Sequence, residues 1–220
     1  MKSRPDKENS LQLDWWTGKE GDEYTHRNPR NTDEMREDYI EKYGMTRTEM
    51  NKEFLKDIPG NIKICEIGCN IGIQLDLLVQ LGFSPSKMYG VEPNEEARFL
   101  LKLDQAEYNV IDGTSMDIPF KDNFFDLVMV SGVHIHLSKK NLTKSMQEIY
   151  RVSKQYIFIF EYWSKHREEI EYRGKTSLLW KDNYNMLYQK LFKLKLIKEE
   201  FYPFRGDKTK LSVMCLFEKT

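Results

Sequence analysis

The 220-residue chain is predicted to fold as an α/β protein with a seven-stranded, mostly parallel sheet, helices on both faces and an antiparallel last strand. Three observations lead there. Short apolar runs alternate with helical stretches through most of the chain, a glycine-containing turn follows the first of those runs, and two apolar runs close the sequence with no helical stretch between them.

The elements follow in order. Residues 33–58 read as helix, with Asp33, Glu34, Glu37 and Asp38 near its start and an interruption at Gly44. After Pro59-Gly60, residues 62–67 form an apolar strand, a glycine turn follows, and residues 71–81 make an apolar helix. The pattern repeats with strand 87–91, helix 94–103 and strand 108–111. It continues with strand 125–130, helix 139–152, strand 156–160 and a helix around 181–192. The runs at 196–202 and 211–217 suit a hairpin-like antiparallel edge. The reading divides the chain into an N-terminal covering segment, 1–58, and a main domain, 59–220, with an insertion around 162–180.

Composition bounds the function. Hydrophobic residues make up 40% and charged residues 31%, which suits one globular domain with appendages. No apolar run is long enough to span a bilayer, and the start, MKSRPDKENS, lacks the apolar core of a leader, so a cytoplasmic protein with no membrane partner is expected. The three cysteines, Cys65, Cys69 and Cys215, have no metal-ligand spacing, so neither disulfide nor metal site is expected. The net charge of −1 hides an asymmetry: residues 1–138 carry 16 basic and 25 acidic side chains, and residues 139–220 carry 18 and 10. A basic C-terminal third can attract an anionic partner; the plain alternative is lysines solvated on helix faces.

Three motifs carry the chemistry. The first is the turn Glu66-Ile67-Gly68-Cys69-Asn70-Ile71-Gly72, where glycines let backbone approach a ligand and the next helix presents free N–H groups. The pyrophosphate fingerprint G-x-G-x-x-G is absent. The second is Glu92-Pro93, 20 residues after Gly72, where a carboxylate can accept two ribose hydroxyls or, alternatively, cap the next helix. The third is Asp112-Gly113-Thr114-Ser115-Met116-Asp117-Ile118-Pro119-Phe120, followed at once by Asp122-Asn123-Phe124-Phe125-Asp126.

In this order and spacing the motifs resemble those of Rossmann-like class I methyltransferases, which bind S-adenosylmethionine (SAM). The resemblance implies cofactor contacts from Glu66, Gly68, Cys69, Asn70 and Gly72 on the turn, from Glu92 and Pro93, from Thr114, Ser115 and Met116 around the adenine, and from Ser131 after the Phe125 strand. Thr114 stands where an adenine-contacting aspartate is usual, which leaves that contact open among Thr114, Asp112 and Asp117.

A narrower resemblance spans most of the chain, to the pseudaminic acid biosynthesis-associated methylases. It rests on Trp16-Thr17-Gly18-Lys19-Glu20-Gly21-Asp22-Glu23-Tyr24-Thr25-His26-Arg27-Asn28, on Ser115 to Asn123, on Gly132-Val133-His134-Ile135-His136-Leu137, and on Glu161-Tyr162 with Glu171-Tyr172-Arg173-Gly174-Lys175. Glu20 replaces a usual aromatic residue, His134 a leucine and Glu171 a proline.

Chemistry suggests roles for these residues. The SAM carboxylate suits the guanidinium of Arg27, with Tyr24 covering the same ligand; alternatively Trp15, Trp16 and Tyr24 staple the segment to the core. Methyl transfer to oxygen needs alignment first and a proton acceptor second, so His136 and Glu161 are the catalytic candidates. His134, Tyr162, Arg173 and Lys175 are the expected substrate contacts, the last two holding an acidic group. The expected function is O-methylation of a small acidic acceptor, a sugar such as a nonulosonic acid or its nucleotide-activated form. Another acidic metabolite, a nucleic acid, or SAM binding without transfer are the alternatives. No N-P-P-Y-type tetrapeptide or appended RNA-binding module favours nucleic acid.

Overall fold

The computed structural model describes residues 7–220, with side chains from Leu11 onward; part of the leader reading therefore lies outside the described residues. Strands β1 (Ile64–Ile67), β2 (Met88–Val91), β3 (Asn109–Ile111), β4 (Phe125–Ser131) and β5 (Ser153–Trp163) pair in parallel. A small hairpin, β6 (Glu168–Glu169) and β7 (Trp180–Lys181), stands apart from that sheet. The last strands, β8 (Leu194–Phe204) and β9 (Asp207–Lys219), complete a seven-stranded sheet ordered β3-β2-β1-β4-β5-β9-β8. β9 runs antiparallel to both of its neighbours, β5 and β8.

The order reverses beside β1, which has β2 on one side and β4 on the other. Helices leaving neighbouring strands in opposite directions open a crevice at their C-terminal ends, and ligands of open α/β sheets gather there. Alternation along β4 explains why both faces are covered. Leu127 and Met129 belong to one apolar cluster with α3 (Thr32–Tyr43), α4 (Arg47–Leu55) and α5 (Ile73–Gln80). Val128 and Val130 belong to the other, with α7 (Lys139–Val152) and α8 (Tyr184–Leu191). Between β2 and β3 runs α6 (Glu95–Asp104), capped by the Asn94 side chain.

Most boundaries fall within a few residues of the sequence pattern, because caps that are visible in sequence set them. Gly44 ends α3 in the left-handed region at φ 80°, and Thr46 and Glu49 form a reciprocal capping box at α4. β5 is longer than the expected 156–160, because pairing with β9 from Tyr156 to Trp163 extends it beyond its apolar run. The sequence pattern also misses α1 (Lys7–Thr17) and α2 (Lys19–Arg27). Both are polar stretches fastened by tertiary hydrogen bonds to the Asn70 turn, to the Asn94 cap of α6 and to the start of α7, partners that a sequence pattern does not show.

Phe158 is fully buried at the middle of β5, in contact with Phe54 at 5.7 Å between ring centroids, whereas Phe99 on α6 is 57% exposed. Phe158→Ala is expected to cost about 3–5 kcal/mol and Phe99→Ala less than about 0.5 kcal/mol. Urea unfolding of the two variants checks this; equal costs would mean that the sheet core is wrongly located.

Candidate active site

The site begins where β1 ends. Gly68 and Gly72 turn the chain at φ 71° and 80°, and Asn70 sits between them at φ 47°, a region that asparagine tolerates better than most side chains. A Cβ on Gly68 would lie 2.5 Å from a methyl group of Val133, so the close approach that requires glycine is to the loop after β4. Gly72 starts α5 and lines neither cavity described below.

Glu92, at the end of β2, braces this turn. Its carboxylate accepts the backbone N–H of Asn70 at 2.9 Å and of Asn94 at 2.8 Å, and the side chain is only 6% exposed. Burial raises its pKa while the two backbone donors oppose the rise. A carboxylate has roughly four acceptor sites, so about two stay open to a ligand.

A cavity lies over the turn, lined by Gly68, Asn70, Glu92, Pro93, Thr114, Ser115, Met116 and Ser131. Among the three adenine alternatives Thr114 reaches it; Asp112 is exposed and pairs with Arg98 at 3.0 Å, and Asp117 is exposed. Gln12, Leu13, Trp16, Gly21 and Tyr24 of α1, α2 and their junction complete the wall. This cover is fastened at several points. Gln12 accepts from Ser138 N and Asn141 Nδ2 at 3.2 and 3.1 Å, Asn94 Nδ2 donates to Trp16 O at 3.1 Å, and Asn70 Nδ2 donates to Thr25 Oγ1 at 3.0 Å.

A second cavity shares Tyr24, Gly68, Asn70, Ser131, Gly132 and His136 with the first. Arg27, Glu66, Cys69, Glu161 and Tyr162 line it, as do Asp38, Lys42 and Tyr172, which the sequence reading passes over. Arg27 Nη2 donates to Tyr172 Oη at 3.1 Å, and its guanidinium lies 5.3 Å from the Tyr24 ring centroid. Glu66 is 2% exposed with Oε2 unpartnered among the described residues. Burial raises its pKa, partly opposed by Arg47.

His136 lies at the junction of the cavities, in a short 3-10 turn (His134–His136). Its Nδ1 is 2.7 Å from the carbonyl of Leu178. A carbonyl only accepts, so Nδ1 carries the proton and Nε2 keeps a lone pair. The ring packs against Trp16 at 4.5 Å and Tyr172 at 5.4 Å between centroids. Burial pulls its pKa down to about 4, against the Leu178 hydrogen bond, so the imidazole is neutral in ordinary buffers. Glu161 is 1% exposed and accepts the N–H groups of Val133, His134 and Ile135 at 3.1, 3.0 and 3.4 Å. Its bonds are spent on the turn that carries His136.

Three expected substrate contacts lie elsewhere. His134 is fully buried, bonded through Nε2 to Tyr188 Oη at 2.9 Å, and lines neither cavity. Arg173 and Lys175 are exposed and also line neither. The reason is local: Tyr172 and Lys175 exchange backbone hydrogen bonds, and Arg173 and Gly174 between them both have positive φ, 54° and 73°. This is the geometry of a tight hairpin turn, which presents its central residues to solvent. Tyr172, the preceding residue of the same motif, faces the cavity, while Arg173 borders an outer groove with Lys19, Asp22 and His26, and Lys175 lies over Trp15 at 4.3 Å. The basic C-terminal third does not supply the cavity's cations; Arg27 and Lys42 do.

The buried histidines give a pH test. Burial lowers His134 from 6.5 to about 3, so below pH 6.5 the unfolded chain takes up a proton at this position that the folded chain refuses until about pH 3. Stability is therefore lost as pH falls through that window. Between pH 6.5 and 4.5 the unfolding free energy of the wild type is expected to fall more steeply than that of His134→Gln, by about 1 kcal/mol per pH unit. Parallel urea-unfolding curves across that range would place the imidazole in water.

Among the described residues no helix is long and apolar enough to cross a membrane, and no group of three or more His, Cys, Asp and Glu side chains is arranged to hold a metal ion. Residues 65–159 match the family model described as a methyltransferase domain. No curated protein matches the sequence. Among solved structures, the PH0226 protein of Pyrococcus horikoshii OT3 is 19% identical with a TM-score of 0.66, covering 90% of this chain and 99% of that one. The magnesium protoporphyrin IX methyltransferase of Synechocystis PCC 6803, with bound SAM, is 11% identical with a TM-score of 0.67 and full coverage of both chains, 100% each. The 1,6-didemethyltoxoflavin-N1-methyltransferase of Burkholderia thailandensis, with bound S-adenosylhomocysteine, is 10% identical with a TM-score of 0.68, covering 100% of this chain and 93% of that one. At such identities the likeness speaks for the fold, and the domain match speaks for the cofactor and reaction class. This chain carries a class I, SAM-dependent methyltransferase domain.

Proposed function

We propose that the chain transfers the methyl group of SAM to a hydroxyl oxygen of a small acidic acceptor, an acidic sugar such as a nonulosonic acid or its nucleotide-activated form. The observation that carries the reading is the junction of the two cavities, where a neutral imidazole with a free Nε2 stands beside the glycine turn. The cavity walls also favour a polyhydroxylated molecule over a long polymer. Tyr24, Tyr39, Tyr43, Tyr162 and Tyr172 line the second cavity, giving flat apolar faces with polar edges, and Lys42 and Arg27 supply positive charge.

The residues fit the cofactor on their own chemistry. Glu92 has acceptor sites left for ribose hydroxyls, Thr114 to Met116 border the adenine end, and the orphaned Oε2 of Glu66 suits the ammonium of the amino-acid end, with Arg27 and Tyr24 at its carboxylate. SAM supplies an electrophilic methyl group on a sulfonium, which an in-line oxygen nucleophile can take. His136 Nε2 accepts the hydroxyl proton as that oxygen attacks, and the product oxygen carries the methyl group in place of the proton. Glu161 acts through His136 by fixing residues 133–135, so it is a positioning residue. The two cavities meet at Gly68, Asn70, Ser131 and His136, which lets one wall align cofactor and acceptor, and alignment is what a methyl transfer needs most.

The test of the whole reading is methyl incorporation from labelled SAM into acidic sugar extracts, compared with total RNA and with no acceptor. Label in the sugar fraction alone is expected; label in RNA, or in nothing, overturns it. Glu92→Ala is expected to weaken SAM binding by about 2–3 kcal/mol, the scale of lost charge-assisted hydrogen bonds, and Glu92→Gln by less. Unchanged calorimetric affinity in the alanine variant would remove Glu92 from the ribose. His136→Ala is expected to reduce turnover roughly 10²–10⁴-fold while SAM affinity stays near wild type. A variant that keeps its turnover would show that the hydroxyl proton leaves by another route.

A further inference from the structure

We propose that Lys42 and Tyr162 form the anion-binding end of the acceptor cavity and take a carboxylate of the acceptor, leaving the hydroxyl to be methylated toward His136. The proposal rests on the methyl-transfer reading above and names the group by which the acceptor is held.

Among the described residues lining the second cavity, the cations are Arg27 and Lys42. Arg27 is already engaged, donating to the Tyr172 hydroxyl and lying against the Tyr24 ring, and it is the cation read above as the partner of the cofactor carboxylate. Lys42 is on α3, across the cavity. It donates to Asp38 Oδ2 at 3.1 Å, one turn earlier on the same helix, and its side chain is 33% exposed. An ammonium has three N–H donors, so that bond fixes its position and leaves others to offer. Burial lowers its pKa, but the net shift is upward, and the bonded Asp38 carboxylate favours the charged form, so the ammonium stays cationic. Tyr162 follows Glu161 at the end of β5, lines the same cavity as Lys42, and its hydroxyl has no hydrogen-bond partner among the described residues.

One ammonium N–H and one phenolic O–H make a two-point donor for a singly charged carboxylate. Asp38, paired with Lys42, repels a doubly charged phosphate more than a singly charged carboxylate. The acidic group is therefore read as a carboxylate. It is bound by α3 and β5, not by the hairpin turn that carries Arg173.

The test uses the full chain saturated with S-adenosylhomocysteine, so that no turnover occurs. N-acetylneuraminic acid, its neutral C1 methyl ester and a neutral-hexose phosphate are titrated by ligand-observed NMR. In the wild type the acid is expected to bind about tenfold or more tightly than the ester or the phosphate. Lys42→Met is expected to reduce acid affinity to the level of the ester, Lys42→Arg to keep part of it, and Tyr162→Phe to lose roughly threefold to tenfold, all with unchanged S-adenosylhomocysteine affinity. Equal binding of acid and ester, preferred binding of the phosphate, or an unaltered Lys42→Met overturns the subsite and leaves sugar methylation standing. Loss of S-adenosylhomocysteine binding in Lys42→Met also overturns it, because the lysine would then serve the cofactor. If neither acid nor ester binds the wild type, the acidic-sugar reading falls and the subsite falls with it.

Discussion

The site depends on one carboxylate holding two strand ends together. Glu92 closes the end of β2 onto the turn after β1 by accepting Asn70 N, and onto α6 by accepting Asn94 N. A polar group taken out of water costs free energy unless it is hydrogen-bonded, so these bonds make its burial tolerable and fix the turn at the same time. Asn70 then reaches Thr25, and Asn94 reaches both Trp16 O and Asp22, at 3.0, 3.1 and 2.8 Å. The residues that brace the cofactor turn therefore also fasten the N-terminal helices over it.

A second carboxylate repeats this logic on the other side of the sheet reversal. Glu161 gathers three consecutive N–H groups after β4 and so holds the turn bearing His136, while burial pushes its pKa up to about 8 against those bonds. The inserted hairpin segment finishes the arrangement from outside the main sheet: the Leu178 carbonyl sets the imidazole tautomer and the Tyr172 ring leans on its face. His136 is thus placed by the β5 end and by the insertion together, and neither suffices alone to fix both the position and the protonated nitrogen.

The sheet was legible because its determinants are local. Apolar runs bounded by glycine, proline and caps reveal strands and helices, and the Gly68 turn with Glu92 marks the cofactor end by chemistry that only a few residue types can perform. The acceptor end was less legible. Lys42 sits on a helix whose surface carries many charges, and nothing in its neighbourhood sets it apart until folding puts it in the wall of the second cavity with Tyr162. In Tyr172-Arg173-Gly174 the sequence points to the arginine as an anion ligand, while the two-residue turn with positive φ leaves the tyrosine, and not the arginine, lining the second cavity. His134 and His136 are two apart in sequence and have opposite fates, because a 3-10 turn rotates them to different sides. Such side selection depends on backbone rotation at single residues, which composition and spacing do not report.

The roof made by α1 and α2 has a kinetic side. Its fastenings include separate hydrogen bonds from Gln12, Trp16, Thr25 and Arg27 to four different parts of the chain, with the Trp16 ring packed on Tyr24 and His136. Segments held in this way open locally more readily than the sheet they cover. A ligand roofed by such a segment leaves only when several weak bonds break together, so the spent cofactor's residence time becomes a property of the N-terminal helices. Release would then depend on how readily α1 and α2, joined at Gly18, loosen from those bonds.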